Sequence, residues 1–116
     1  MPKHMTVFMT APNEEEGAAI AKKLVEESLC ACVNIIPKVR SVYRWEGKVF
    51  DESEVMMVAK TASSLAPMLV KRVKELHSYD VPEVICIPIA TGSGDYLDWI
   101  DASVDGGAAG ERDREI

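Results

Sequence analysis

Basic residues are in the minority in this 116-residue chain: 13 Lys and Arg stand against 19 Asp and Glu, a formal net charge of -6. A field of that sign repels phosphate backbones and anionic lipid, so neither nucleic acid nor a membrane is expected as a partner. Cysteine is scarce and odd in number, at three (Cys30, Cys32, Cys86). That excludes a secreted disulfide framework and points to reduced thiols in a cytoplasmic setting. Histidine is scarcer still, at two, too few for a His-rich catalytic metal centre within one chain. No apolar run approaches the roughly 18 residues of a membrane span, and residues 1–10 have no signal-peptide pattern. Also missing are a Gly-rich phosphate loop, a G-x-S-x-G elbow and an H-E-x-x-H pair, so no enzyme is expected.

What is present suits one compact core: 47% apolar and 28% charged residues, with seven glycines and six prolines. One domain is expected over residues 1–104. Residues 105–116, rich in glycine and alternating charge, read as a flexible charged tail.

The chain alternates between strand and helix signals. Residues 5–11 are β-branched and aromatic and close on Ala11-Pro12-Asn13, a first strand. Asn13 is a good N-cap, with Glu16 placed to return a carboxylate to the cap and Glu14, Glu15 and Glu16 favouring the positive end of the helix dipole. That helix is expected to reach about Leu29, with Ile20, Ala21, Leu24 and Val25 on its apolar stripe. Residues 32–36 and 39–45 read as a second strand kinked at Pro37. Glu46-Gly47-Lys48 is a turn, and residues 49–59 return as a third strand whose apolar run Val55, Met56, Met57 and Val58 suggests cover on both faces. Ser63 or Ser64 is expected to cap a second helix that tolerates Pro67 in its first turn and packs Leu65, Leu69, Val73 and Leu76 inward. Residues 84–89 form a fourth strand, and Ser93 caps a short final helix.

This order is α+β, the ferredoxin-like split βαβ pattern β-α-β-β-α-β. Its central hairpin is oversized. Each arm could extend on the order of 40 Å at about 3.3 Å per residue, against a radius of gyration of about 13 Å for a globule of this length. An overhang carrying Val39, Val42, Tyr43, Trp45, Val49 and Phe50 leaves apolar side chains and a strand edge bare, so an obligate homo-oligomer is expected.

Several ordered segments resemble the CutA divalent-cation tolerance proteins: TAPNE at 10–14, LCACVNIIP at 29–37, SVYRWEGK at 41–48, and the stretches 79–83 and 96–99. The likeness covers roughly residues 6–104. It implies an extended hairpin and short C-terminal helix on a ferredoxin-like subunit, assembled as a homotrimer similar in architecture to PII signalling proteins. It also implies a role in tolerance to copper and other divalent cations; such an ion is expected to be weakly bound, and no organic cofactor is expected. Part of that family uses a cysteine at the end of the first strand and two adjacent histidines at the end of the second helix. Here those positions hold Met9, Leu76 and His77. Met9 offers a thioether to soft Cu(I), and Leu76 cannot ligate.

Each candidate has a plainer reading. His77 closes the second helix, where a capping role needs no metal. Cys30-Ala31-Cys32 puts two thiols on one face but does not complete a tetrahedral site, so buried small hydrophobes are the better reading, and Cys86 more so. His4 would enter a square-planar Cu(II) or Ni(II) site only if Met1 were removed. A polar and aromatic set, Asn34, Tyr43, Trp45 and Glu54 with Lys60, Tyr79, Glu83 and Tyr96, is expected at strand ends and loops, where subunits meet in a cleft. Packing aromatics and an ordinary Lys60–Glu83 ion pair are the alternative there. Two functions follow: a trimer that binds divalent metal, copper first, through carboxylates, His77 and Met9, or a PII-like signalling or scaffold trimer with a small anion at Lys60. The protein partner of either is unknown.

Overall fold

The computed structural model describes residues 2–104, so the tail expected at 105–116 lies outside the described residues. The chain runs through β1 (His4–Ala11), α1 (Glu14–Glu26), β2 (Cys32–Trp45), β3 (Lys48–Ala62), a 3-10 turn (Ser63–Leu65), α2 (Ala66–Leu76), β4 (Val84–Pro88) and α3 (Gly94–Val104). The four strands form one antiparallel sheet in the order β2-β3-β1-β4. The sequence pattern anticipated this mixed α+β order.

Strand alternation separates the two faces of the sheet. Val7, Met9 and Ala11 of β1 and Val55, Met57 and Ala59 of β3 pack against Ile20 and Leu24 of α1 and Leu69 and Val73 of α2, the main core. The other face is crossed by α3, which is tied down where His4 meets Asp101 at 2.9 Å and Tyr96 meets Cys32 at 3.4 Å. The rest of that face is bare: Ile36, Ile85 and Ile87 are exposed, and Met56 and Val58 are only half-buried. The expectation that residues 55–58 are covered on both sides therefore fails within one chain.

Local chemistry sets the ends of the elements. Asn13 Oδ1 accepts from the Glu16 N–H at 2.8 Å, as anticipated. The Glu16 carboxylate does not return to the cap; it takes the Ser78 N–H at 2.9 Å and the Ser78 hydroxyl at 2.8 Å, fastening α1 to the segment after α2. Helix α1 stops at Glu26 rather than near Leu29. Ser28 enters the left-handed region at φ 59, and the Ser28 and Leu29 N–H groups bond back to the Val25 and Leu24 carbonyls, the paired closure that ends a helix and turns the next residue inward. Leu29 is then buried, while Val25 is left exposed. Neither Ser63 nor Ser64 caps α2: the 3-10 turn precedes it, and the Ser63 hydroxyl donates to the Pro2 carbonyl at 3.0 Å. Pro67 sits in the first turn as anticipated.

Glu46 (φ 49) and Gly47 (φ 79) make the two-residue turn between β2 and β3, whose twist suits a tight hairpin. The β2–β3 register shifts between Ile36 and Val39, a bulge at Pro37. Pairing of β1 with β3 ends at Ala11 and Val55, so residues 48–54 have only β2 beside them. This two-stranded ribbon gives the molecule extents of 46 × 27 × 23 Å and a radius of gyration of 14.8 Å. Val42 and Val49 on it are 64% and 63% exposed. The ribbon projects from its own globule instead of folding back over it.

Candidate binding cleft

His77 ends α2 with its backbone N–H on the Val73 carbonyl at 2.9 Å. Its side chain is fully buried. The ring Nε2 donates to the Thr10 carbonyl at 2.7 Å, and Nδ1 accepts the Tyr79 N–H at 3.1 Å, with a Glu16 oxygen 3.4 Å away. Both nitrogens are thus spent on the protein: the ring joins the end of β1 to the loop after α2 and packs against Tyr79, centroids 4.7 Å apart. Met9 is fully buried in the main core, and Leu76 packs at its edge. In this geometry, neither Met9 nor His77 presents a free donor to a metal.

A cleft of about 680 Å³ opens where the ribbon leaves the globule. Its ribbon wall carries Tyr43, Trp45, Phe50 and Glu54; the loop between α2 and β4 supplies Tyr79 and Glu83. Hairpin register explains the first set, because the turn pairs Tyr43 with Phe50 and Ser41 with Glu52 on one pleat face. Tyr43 and Phe50 stack at 5.4 Å. The Tyr43 hydroxyl donates to Glu52 Oε1 at 2.5 Å, and the Tyr79 hydroxyl to Glu54 Oε2 at 2.8 Å. Those bonds, together with partial desolvation, hold both phenols protonated. The carboxylate of Glu52 is the main cause at Tyr43, pushed up to about 12, and burial followed by Glu54 at Tyr79. The Glu83 carboxyl is also raised, first by desolvation and then by the charge of Glu54. Arg40 lines the cleft too, but its guanidinium grips Asp51 with two bonds of 2.8 and 2.7 Å, which holds that carboxyl below its ordinary range.

Of the eight polar and aromatic candidates, Tyr43, Trp45, Glu54, Tyr79 and Glu83 line this cleft; Asn34, Lys60 and Tyr96 do not. Lys60 lies six residues beyond Glu54 on β3, about 20 Å at strand rise. There it donates to Asn34 Oδ1, beside the Cys32–Tyr96 contact. Burial and the Cys32 bond push the Tyr96 phenol up to about 12. No Lys60–Glu83 ion pair forms among the described residues. Sequence reasoning missed Glu52 and Arg40; the register set by the Glu46-Gly47 turn was enough to place Glu52 on the Tyr43 face, whereas Arg40 falls on the alternate face with Asp51. Cys30 is buried, its thiol pushed up to about 12 by burial, whereas Cys86 is only half-buried, less of a core residue than anticipated. Among the described residues no group of three or more His, Cys, Asp or Glu side chains is placed to hold a metal ion, and no helix is long and apolar enough to cross a membrane.

The family described as CutA1 divalent ion tolerance protein matches residues 5–103. The chain is 50% identical over 94 residues to the divalent-cation tolerance protein CutA of Thermus thermophilus, covering 81% of this chain and 91% of that protein. It is 47% identical over 93 residues to protein CutA of Homo sapiens, covering 80% of this chain but 52% of that one, so it spans about half the length of this relative. Among solved structures, the divalent cation tolerance protein of Thermus thermophilus superposes with a TM-score of 0.81 at 48% identity, covering 84% of this chain and 94% of that one. The periplasmic divalent cation tolerance protein CutA of Archaeoglobus fulgidus superposes with a TM-score of 0.84 at 42% identity, covering 87% and 98%.

Proposed function

This chain belongs to the CutA1 divalent ion tolerance protein family, and from that premise we propose that it works as a homotrimer that holds divalent cations, copper first, weakly and exchangeably. The observation that carries the reading is the acid-lined cleft at the root of a ribbon no single copy shelters. Glu54 and Glu83 line that cleft and Glu52 meets it through the Tyr43 hydroxyl, and among the described residues no three-ligand set forms. The coordination sphere is therefore completed by a neighbouring copy, and the low ligand count per chain makes the ion exchangeable. His77 serves as scaffold in this reading, and no redox turnover is involved.

The bare isoleucines beside α3 and the exposed ribbon valines support assembly, since such surfaces are sheltered by other copies in stable oligomers. A PII-like ferredoxin architecture with sheets turned toward one another fits the same exposed face. Three unpaired thiols favour a reducing cytoplasm; cell fractionation tests this, because the Archaeoglobus neighbour is named periplasmic. An anionic ligand at Lys60 has less behind it, since that ammonium is already given to Asn34 outside the cleft.

Calorimetry of the assembled protein with Cu(II), Cu(I) and Zn(II) tests the metal reading. Saturable heats that survive in His77→Gln and disappear in the double variant Glu54→Gln, Glu83→Gln are expected. Absence of saturable heat with every ion would overturn it.

A further inference from the structure

The same cleft has a second character that a bare metal ion does not use. Its ribbon wall carries aromatic rings, Tyr43 stacked on Phe50 with Trp45 beside them, and Tyr79 lines it from the loop after α2. In one copy the cleft measures about 680 Å³, the space of a small organic ligand and far more than a dehydrated ion bound at about 2 to 2.5 Å would need, so a neighbouring copy can close part of it and still leave room. The charges are one-sided. Arg40 is neutralised by Asp51, leaving Glu54, Asp80 and Glu83 to set the potential inside. Glu54 is 7% exposed and receives a hydrogen bond on Oε2 only; among the described residues nothing donates to its Oε1. Glu83 takes no hydrogen bond or ion pair among the described residues, and desolvation followed by the charge of Glu54 raises its carboxyl.

We propose that this cleft binds an organic cation, an alkylammonium group seated against Tyr43, Trp45 and Tyr79 with its charge toward Glu54 and Glu83. Aromatic faces attract a weakly hydrated cation through their quadrupole, and the effect strengthens as water is excluded. Phenol hydroxyls committed to Glu52 and Glu54 hold two of those rings in place before the ligand arrives. The charged head selects a cation over a neutral body of the same shape, because the carboxylates gain nothing from the latter.

Choline and its neutral isostere 3,3-dimethyl-1-butanol are the probes. They are titrated into assembled Trp99→Phe protein at constant ionic strength, with the fluorescence of Trp45 as the readout. A saturable change with choline is expected, with at least about tenfold weaker response to the isostere and about tenfold weaker choline binding in Glu83→Gln, as for loss of a charge-assisted contact. Trp45→Leu, followed by calorimetry, is expected to weaken choline binding while leaving the zinc heat unchanged. No saturable response to choline, equal binding of the isostere, or indifference to Glu83→Gln each overturns the proposal. The zinc and copper heats are read separately, so the metal reading stands or falls without it.

Discussion

Replacing His77 by alanine removes a ring whose two nitrogens serve two backbone groups, one of them 67 positions away. The Thr10 carbonyl loses a donor at 2.7 Å and the Tyr79 N–H loses an acceptor at 3.1 Å. The side chain is fully buried, so each orphaned group costs about 1 to 3 kcal/mol. Water entering the vacated space recovers part of this, and a net loss of about 3 kcal/mol is expected, a large share of the roughly 5 to 15 kcal/mol that holds a domain together. Urea denaturation at fixed protein concentration reads it, since assembly couples apparent stability to concentration. His77→Gln, which keeps one donor and one acceptor, is expected to recover part of the loss. The same two variants then go into the copper titration. A loss below about 1 kcal/mol, or copper heat abolished by His77→Gln with stability intact, would refute the scaffold argument.

Other substitutions test other parts of the fold. A Cβ on Gly17 of α1 would sit 2.9 Å from Val55 Cγ2 in the core. Gly17→Ala should therefore lose about 1 kcal/mol or more in urea, despite a helix-propensity gain of similar size; a more stable variant contradicts this packing. The Glu83 carboxyl is raised in the folded state by desolvation and then by Glu54, so its contribution is greatest below the unfolded value near 4.3 and is lost as pH rises through the folded one. Glu83→Gln should thus match the parent in stability below about pH 4 and exceed it at neutral pH, and a gain confined to acid would have the sign wrong. Sedimentation velocity at micromolar concentration should show a single assembled species that Val42→Glu with Val49→Glu shifts toward smaller ones; a stable parent monomer defeats the assembly argument.

The elements were legible wherever a local signal fixed them: Asn13 as cap, Pro37 as bulge, Gly47 at the turn, Pro67 in a first turn. The end of α1 was not, because Ser28 adopts the left-handed conformation usually signalled by glycine. Met56 and Val58 misled in another way, since their apolar character anticipates a cover that one chain does not provide. For the site, five of the eight polar and aromatic residues meet in one cleft, because hairpin register sets Tyr43, Trp45 and Glu54 on one face and the loop after α2 brings Tyr79 and Glu83 to it. Lys60 was grouped with them by residue type, but six residues of extended strand carry it away. The locking of His77 rests on the Thr10 carbonyl, a backbone partner 67 positions distant that leaves no mark in a residue pattern.

Mechanically, the projecting arm is a cantilever rooted more firmly through β3, which lies between β2 and β1, than through the edge strand β2. Strand β2 is bulged at Pro37, while β3 runs from Lys48 to Ala62 with no register shift against β1, so a load at the tip travels mainly down β3 and is first resisted where Val55 meets Ala11. The acid-lined hollow sits at that fulcrum, and whatever wedges into it stiffens the arm against swinging.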